Sequence, residues 1–152
     1  VVAVVGAWIA AQQMLIAYDK LRHDTYEALY EKRFAIYVAT RELLASVSHG
    51  EISDSEIKEF GLKALDAKFL FDNDLHKYLI QIRDRVHAWK NANSSLEQLP
   101  TSSARHEWLR IKNEAMQWII EQGDDRTGFD VKFIPFLVYK KINRPFILRW
   151  PT

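Results

Sequence analysis

The first eighteen residues, V-V-A-V-V-G-A-W-I-A-A-Q-Q-M-L-I-A-Y, carry no ionised side chain, and the next thirty-one contain neither Gly nor Pro. A charge-free apolar stretch of that kind must be hidden from water, in lipid or in protein. As a helix, residues 1–18 span about 27 Å, close to the ~30 Å of a hydrocarbon core. Gln12 and Gln13 are costly at mid-bilayer and belong near the water interface, beside Tyr18 and the first charge at Asp19. The sequence therefore predicts a transmembrane anchor over 1–18, with further residues of the span expected upstream of Val1. Lys20, Arg22, Lys32 and Arg33 follow it, which places the rest of the chain on the cytoplasmic side by the excess of basic residues. A cleavable leader fits less well, because no polar cleavage region follows the apolar run. Ala3, Ala7 and Ala11, with Gly6 and Ala10 on the adjacent stripe, recur at four-residue spacing and mark a candidate surface for helix packing in lipid.

Beyond the anchor, everything points to helix. The chain has 152 residues, five Gly, four Pro and no Asn-Gly or Asp-Gly dipeptide to turn a hairpin. Absence of cysteine excludes disulfides, thiolate metal sites and a cysteine nucleophile. A net charge of +1 is too balanced for a dedicated nucleic-acid binder. The first long helix is expected to end at Gly50, with Leu21, Ala28, Leu29, Ile36, Ala39, Leu43 and Val47 on its apolar face and Tyr26, Tyr30, Phe34, Tyr37 and Leu44 widening it.

Ser53-Asp54-Ser55-Glu56 reads as a capping box, with Ile52 and Ile57 placed for a hydrophobic staple. Ile57, Phe60, Ala64, Ala67 and Phe71 mark the buried side of that second helix, and Gly61 within it predicts a close helix crossing. Asp72-Asn73-Asp74 caps a third helix bearing Leu75, Leu79, Ile82, Val86 and Trp89. Asn91 to Pro100 reads as a linker, Thr101, Ser102 or Ser103 as the cap of a fourth helix, and Gly123 as its left-handed C-terminal cap. The expected architecture is all-α: an N-terminal transmembrane helix (1–18) continuing into a small antiparallel bundle (19–128), with an irregular aromatic and basic tail (129–152).

The tail carries five positive charges, on Lys132, Lys140, Lys141, Arg144 and Arg149, and no acid after Asp130. Pro135, Pro145 and Pro151 argue against one long helix. With Phe133, Phe136, Tyr139, Phe146 and Trp150 it forms a candidate contact surface, either for anionic lipid headgroups or for a partner protein. A third reading has Phe133, Phe136 and Leu137 covering the open end of the bundle.

Tests for chemistry fail. His106-Glu107 begins like a zinc-protease motif, but Arg110 stands where the second histidine is needed. His76 and His87 are about 16 Å apart along a helix, too far to share a metal. The acidic turn with Asp124, Asp125 and Asp130 lacks the alternating ligands of a calcium loop. Asp66, Asp72 and Asp74 have no accompanying nucleophile or oxyanion site. No catalytic residue, cofactor site or metal site is expected.

K-L-R-H-D-T-Y-E-A-L-Y-E-K-R-F-A-I-Y at 20–37, A-K-F-L-F-D-N-D-L-H-K-Y-L at 67–79 and F-I-P-F-L at 133–137 resemble segments of a loose group of small bacterial proteins with one N-terminal membrane helix and a helical soluble domain. The resemblance covers most of the chain but rests on packing and capping motifs, and it implies no activity. The leading expectation is a non-enzymatic accessory, assembly or scaffold subunit, whose partners are the bilayer and other membrane subunits or further copies of itself. The alternative is a membrane-anchored sensor whose helical domain binds a small anion through clustered Lys and Arg. Membrane-surface enzymology is a third class, requiring titratable groups that converge only in space.

Overall fold

Five helices and one short 3-10 turn follow one another, and no strand occurs among the described residues. The structure, a computed structural model, describes residues 2–98, 104–123 and 128–138, without the side chains of 2–4 and 7. Helix α1 is Val2–His49, α2 is Asp54–Asp66, α3 is Asn73–Gln98, α4 is Ala104–Glu121 and α5 is Phe129–Leu137; the 3-10 turn Ala67–Phe69 closes α2.

Helix α1 runs unbroken for 48 residues, about 72 Å. It stops as expected at Gly50, whose φ of 77° is available to glycine at little cost. The Gly50 N–H donates to Val47 O at 3.0 Å and the Glu51 N–H to Ser46 O at 3.1 Å, a Schellman termination. The capping box of α2 forms in full: the Glu56 N–H donates to Ser53 Oγ at 3.2 Å, and the Ser53 N–H donates to Glu56 Oε2 at 2.7 Å. Asp72 Oδ1 accepts from the Leu75 N–H at 2.9 Å and caps α3.

The core is built from Ile36, Leu43, Leu44 and Val47 of α1, Ile57, Phe60 and Ala64 of α2, Leu75, Leu79, Ile82, Val86 and Trp89 of α3, and Ala115 and Ile119 of α4. Helix α3 lies between α2 and α4 and runs antiparallel to both. Its late residue Lys90 donates to Ile52 O at 3.0 Å and pairs with Asp54 at 2.9 Å, beside the start of α2. On the other side, Lys112 of α4 donates to Asn93 Oδ1 at 2.6 Å.

Four expectations are corrected. Residues 91–98 are the last turns of α3, not a linker. Ala92 is fully buried and Asn93 is bound to α4, so packing overrides the weak helix propensity of Asn and Ser. Residues 129–137 are helical in spite of Pro135. A proline there costs about 3 kcal/mol, and burying Phe129 and Phe133 contributes roughly 1.5–3 kcal/mol each, enough to offset it. Gly123 has no positive φ; its N–H donates to Ile120 O at 3.0 Å in a tightened last turn. No helix backbone approaches Gly61: a Cβ there would meet the Arg83 side chain at 3.4 Å.

The N-terminal half of α1 stands clear of the bundle. Side chains 5–25 are exposed where described, apart from half-buried Gln12, and the first buried side chain is Ile36. Leu21, expected on the buried face, is 66% exposed because no other described helix reaches it. Among the described residues no helix is long and apolar enough to cross a membrane. The described side chains include the Gln12-Gln13 pair and the charges from Asp19 onward, which shorten the apolar run expected as an anchor. The capping residues Thr101–Ser103, the acids Asp124 and Asp125, and the tail from Tyr139 onward lie outside the described residues.

Candidate interaction surface

Helix α5 lies antiparallel on α1 through an aromatic seam. Tyr37 stacks on Phe129 with ring centroids 5.6 Å apart and meets Phe133 edge-on at 5.4 Å. Phe71, just past the 3-10 turn, meets Phe133 at 5.5 Å and Phe136 at 5.2 Å, both edge-on. Such pairs favour the edge-to-face geometry because the positive ring edge faces a negative ring face. Arg33 locks the seam: its Nε donates to Leu70 O at 2.8 Å, and its guanidinium lies 5.9 Å from the Phe71 centroid and 5.8 Å from that of Phe136. Further toward the N-terminus of α1, the Tyr26 hydroxyl donates to Val138 O at 3.2 Å.

A polar knot sits at the other end of α5. The Tyr78 hydroxyl donates to Gln122 Oε1 at 2.8 Å, and Gln122 Nε2 donates to Trp118 O at 2.6 Å. Burial holds the Tyr78 phenol above its ordinary pKa, with the Asp130 carboxylate adding to the effect. Tyr37 is raised too, by desolvation first and then by the nearby Asp130 carboxylate.

The tail residues named from sequence separate here. Phe133 has no exposed surface and belongs to the chain's own core, while Phe136 is half-buried against Arg33 and Phe71. Lys132 is exposed, with its ammonium 4.9 Å from the Tyr78 ring centroid. Tyr139, Lys140, Lys141, Arg144, Phe146, Arg149 and Trp150 lie outside the described residues. In the small-residue stripe Gly6, Ala10 and Ala11 are exposed, and a Cβ on Gly6 would meet nothing within 4 Å. The importance of Arg33, Tyr78, Gln122 and Asp130 has no local signal, since their partners are distant in sequence.

Apolar surface remains on the outside of the head. Leu62, Leu65 and Phe69 are exposed on the side of α2 and its 3-10 turn that faces away from the core, Phe69 by 83%. Val131, Ile134 and Val138 are likewise exposed on the outer side of α5.

Two grooves among the described residues are lined by more acids than bases. One of about 550 Å³, wide open to solvent, is lined by Arg85, Asn113, Glu114, Gln117, Trp118 and Glu121. Its single base is outnumbered by two acids, and Arg85 lies 5.8 Å from the Trp118 ring centroid. A smaller one of about 80 Å³ between α1 and α2 has Glu42, Glu56 and Glu59 against Lys63. Arg110, which displaced the second histidine of the failed zinc motif, bridges Glu107 and Glu114 at 2.6 Å each. No group of three or more potential metal ligands occurs among the described residues. Compared with known protein families, curated proteins and solved structures, the chain shows no match.

Proposed function

We propose that this chain is a non-enzymatic, single-pass membrane protein whose helical head acts as an accessory, assembly or scaffold subunit of a membrane complex. The observation that carries the reading is α1 itself. Its N-terminal half projects from the bundle with Val5, Trp8, Ile9, Met14, Leu15 and Ile16 all exposed. Val5, Trp8, Ile9, Leu15 and Ile16 share one arc of about 120° with Met14 opposite. No charged residue interrupts any side before Asp19, and an apolar face left bare in this way needs lipid or other protein against it. Val1 to Val4 add four more apolar residues ahead of the described side chains. Lys20, Arg22, Lys32 and Arg33 favour a cytoplasmic head. The resemblance to small bacterial membrane-anchored proteins fits the same arrangement.

The head supplies contact surface rather than chemistry. Leu62, Leu65 and Phe69 are large apolar side chains presented to solvent, as expected where another subunit or a second copy docks.

Two measurements test the proposal. Membranes from expressing cells are washed with alkaline carbonate, and the chain is expected to stay with the lipid; release into the supernatant overturns the anchor. Native mass measurement in mild detergent is expected to show a defined assembly that Phe69→Asp weakens. A lone monomer for both proteins overturns the subunit role.

A further inference from the structure

We infer that two copies of this chain pair head to head through α2, in opposite directions, and so hold two membranes together. The inference rests on the membrane-anchor reading above and names the partner, the contact and its polarity.

The contact face lies on α2 and its 3-10 turn. Lys58, Leu62, Leu65, Asp66 and Phe69 recur at helical spacing on one side, and all five are exposed. Three large apolar side chains so close together call for a cover, and the charges beside them decide which cover fits. Among the described residues, the ion pairs made by α2 join Lys63 to Glu59 and Asp54 to Lys90, leaving Lys58 and Asp66 out. Those two lie four residues to either side of Leu62. When a second α2 crosses the first antiparallel at Leu62, each Lys58 faces the other copy's Asp66, at both ends of the contact. Phe69 then lies opposite Ser55 of the second copy, whose small side chain leaves room for the ring. A parallel pair sets lysine against lysine and aspartate against aspartate, and like charges repel. The face therefore complements its own inverted copy, as a two-fold contact requires.

Helix α2 in turn fixes where the anchors go. It runs antiparallel to α1: Ser46 Oγ donates to Glu56 Oε1 at 3.4 Å near its start, and Arg33 Nε donates to Leu70 O at 2.8 Å past its end. Inverting α2 inverts α1, so the two apolar N-terminal halves leave the pair in opposite directions. Copies inserted in one bilayer share one orientation, and an inverted pair therefore joins two bilayers. Leu62 lies between those two contacts, level with the stretch of α1 around Thr40. Thr40 is twenty-two residues from Tyr18, about 33 Å along the helix. With both α1 helices upright, the two hydrocarbon surfaces stand about 65 Å apart. The face is small, and facing membranes that carry many copies add avidity to each contact.

The full protein is reconstituted, heads outward, in phosphatidylcholine vesicles, where neutral lipid keeps the attraction of basic residues for anionic headgroups out of the result. The vesicles are expected to cluster, with about 65 Å between bilayers in electron cryomicroscopy. Lys58→Asp alone and Asp66→Lys alone are expected to abolish clustering, and the two together in one chain to restore it. Clustering that survives Lys58→Asp, or that the double exchange fails to restore, overturns the inference. Vesicles that stay dispersed while the protein floats with them also overturn it; the anchor then stands, and the face belongs to another protein. Phe69→Cys that cross-links to itself within one bilayer overturns it in favour of a parallel pair. A protein that does not float with the vesicles overturns the anchor, and the inference falls with it.

Discussion

Tyr78 of α3 and Gln122, just past α4, are 44 residues apart and joined by a 2.8 Å hydrogen bond in which each is 8% exposed. Gln122 is held in turn by the Trp118 carbonyl, so its amide has one orientation. The bond pins the end of α4 to the first turns of α3, close to where α5 begins.

Removing the hydroxyl with Tyr78→Phe leaves a buried amide oxygen without its donor. The expected cost is about 1–3 kcal/mol, read by urea denaturation. The pH dependence follows from the raised pKa of the phenol. A group whose folded pKa lies above its unfolded value, near 10, stabilises fully below that value and loses the contribution as pH rises beyond it. The wild-type chain should therefore lose stability more steeply than Tyr78→Phe above pH ~10.

Ser53→Ala removes the acceptor for the Glu56 N–H and should cost about 1 kcal/mol at neutral pH. The Ser53 hydroxyl and N–H hold the Glu56 carboxyl below its ordinary range. For a depressed carboxyl the stabilisation is present above the unfolded pKa, near 4.3, and is lost as pH falls through the folded one. Glu56→Gln should thus be less stable than wild type at pH 7, with the gap closing in acid. Thermal melts across pH 3–7 check both (roughly the carboxylate titration range).

Gly61→Ala is expected to stabilise the fold by up to about 1 kcal/mol, the helix-propensity difference. The added methyl would meet only the flexible Arg83 stem at an ordinary distance. A lowered denaturation midpoint would instead mean that Arg83 cannot yield.

Phe133→Ala should cost about 3–5 kcal/mol, the usual range for deleting a buried ring. Phe133 touches Tyr37, Phe71 and Phe129, so the loss falls on the α1–α5 seam. Hydrogen exchange should speed up across 129–137 before it does in α3. A substitution at exposed Ile134 should leave the same amides protected.

Helix starts and stops were written locally. Gly50, the Ser53–Glu56 box and the Asp72 cap each act within four residues, so their sequence signatures and their hydrogen bonds coincide. The apolar period of α3 was equally readable from Leu75 to Trp89, because a helix face repeats whatever it packs on. Where two opposing preferences met, sequence misled. Asn91 to Gln98 and the Pro135 segment both look like chain breaks, and both are helical because α4 and α1 respectively bury them.

The amino-acid order by itself determined an all-helical chain with an unbroken first helix and an apolar, charge-free start. Those properties depend on backbone propensity and on side chains one turn apart. Only the tertiary structure decided where the bundle stops climbing α1, that Phe133 is core, and that Tyr26 meets Val138 across 112 residues. Contacts between such distant residues carry no periodic signature, because they depend on how whole helices settle against one another to bury the most apolar surface.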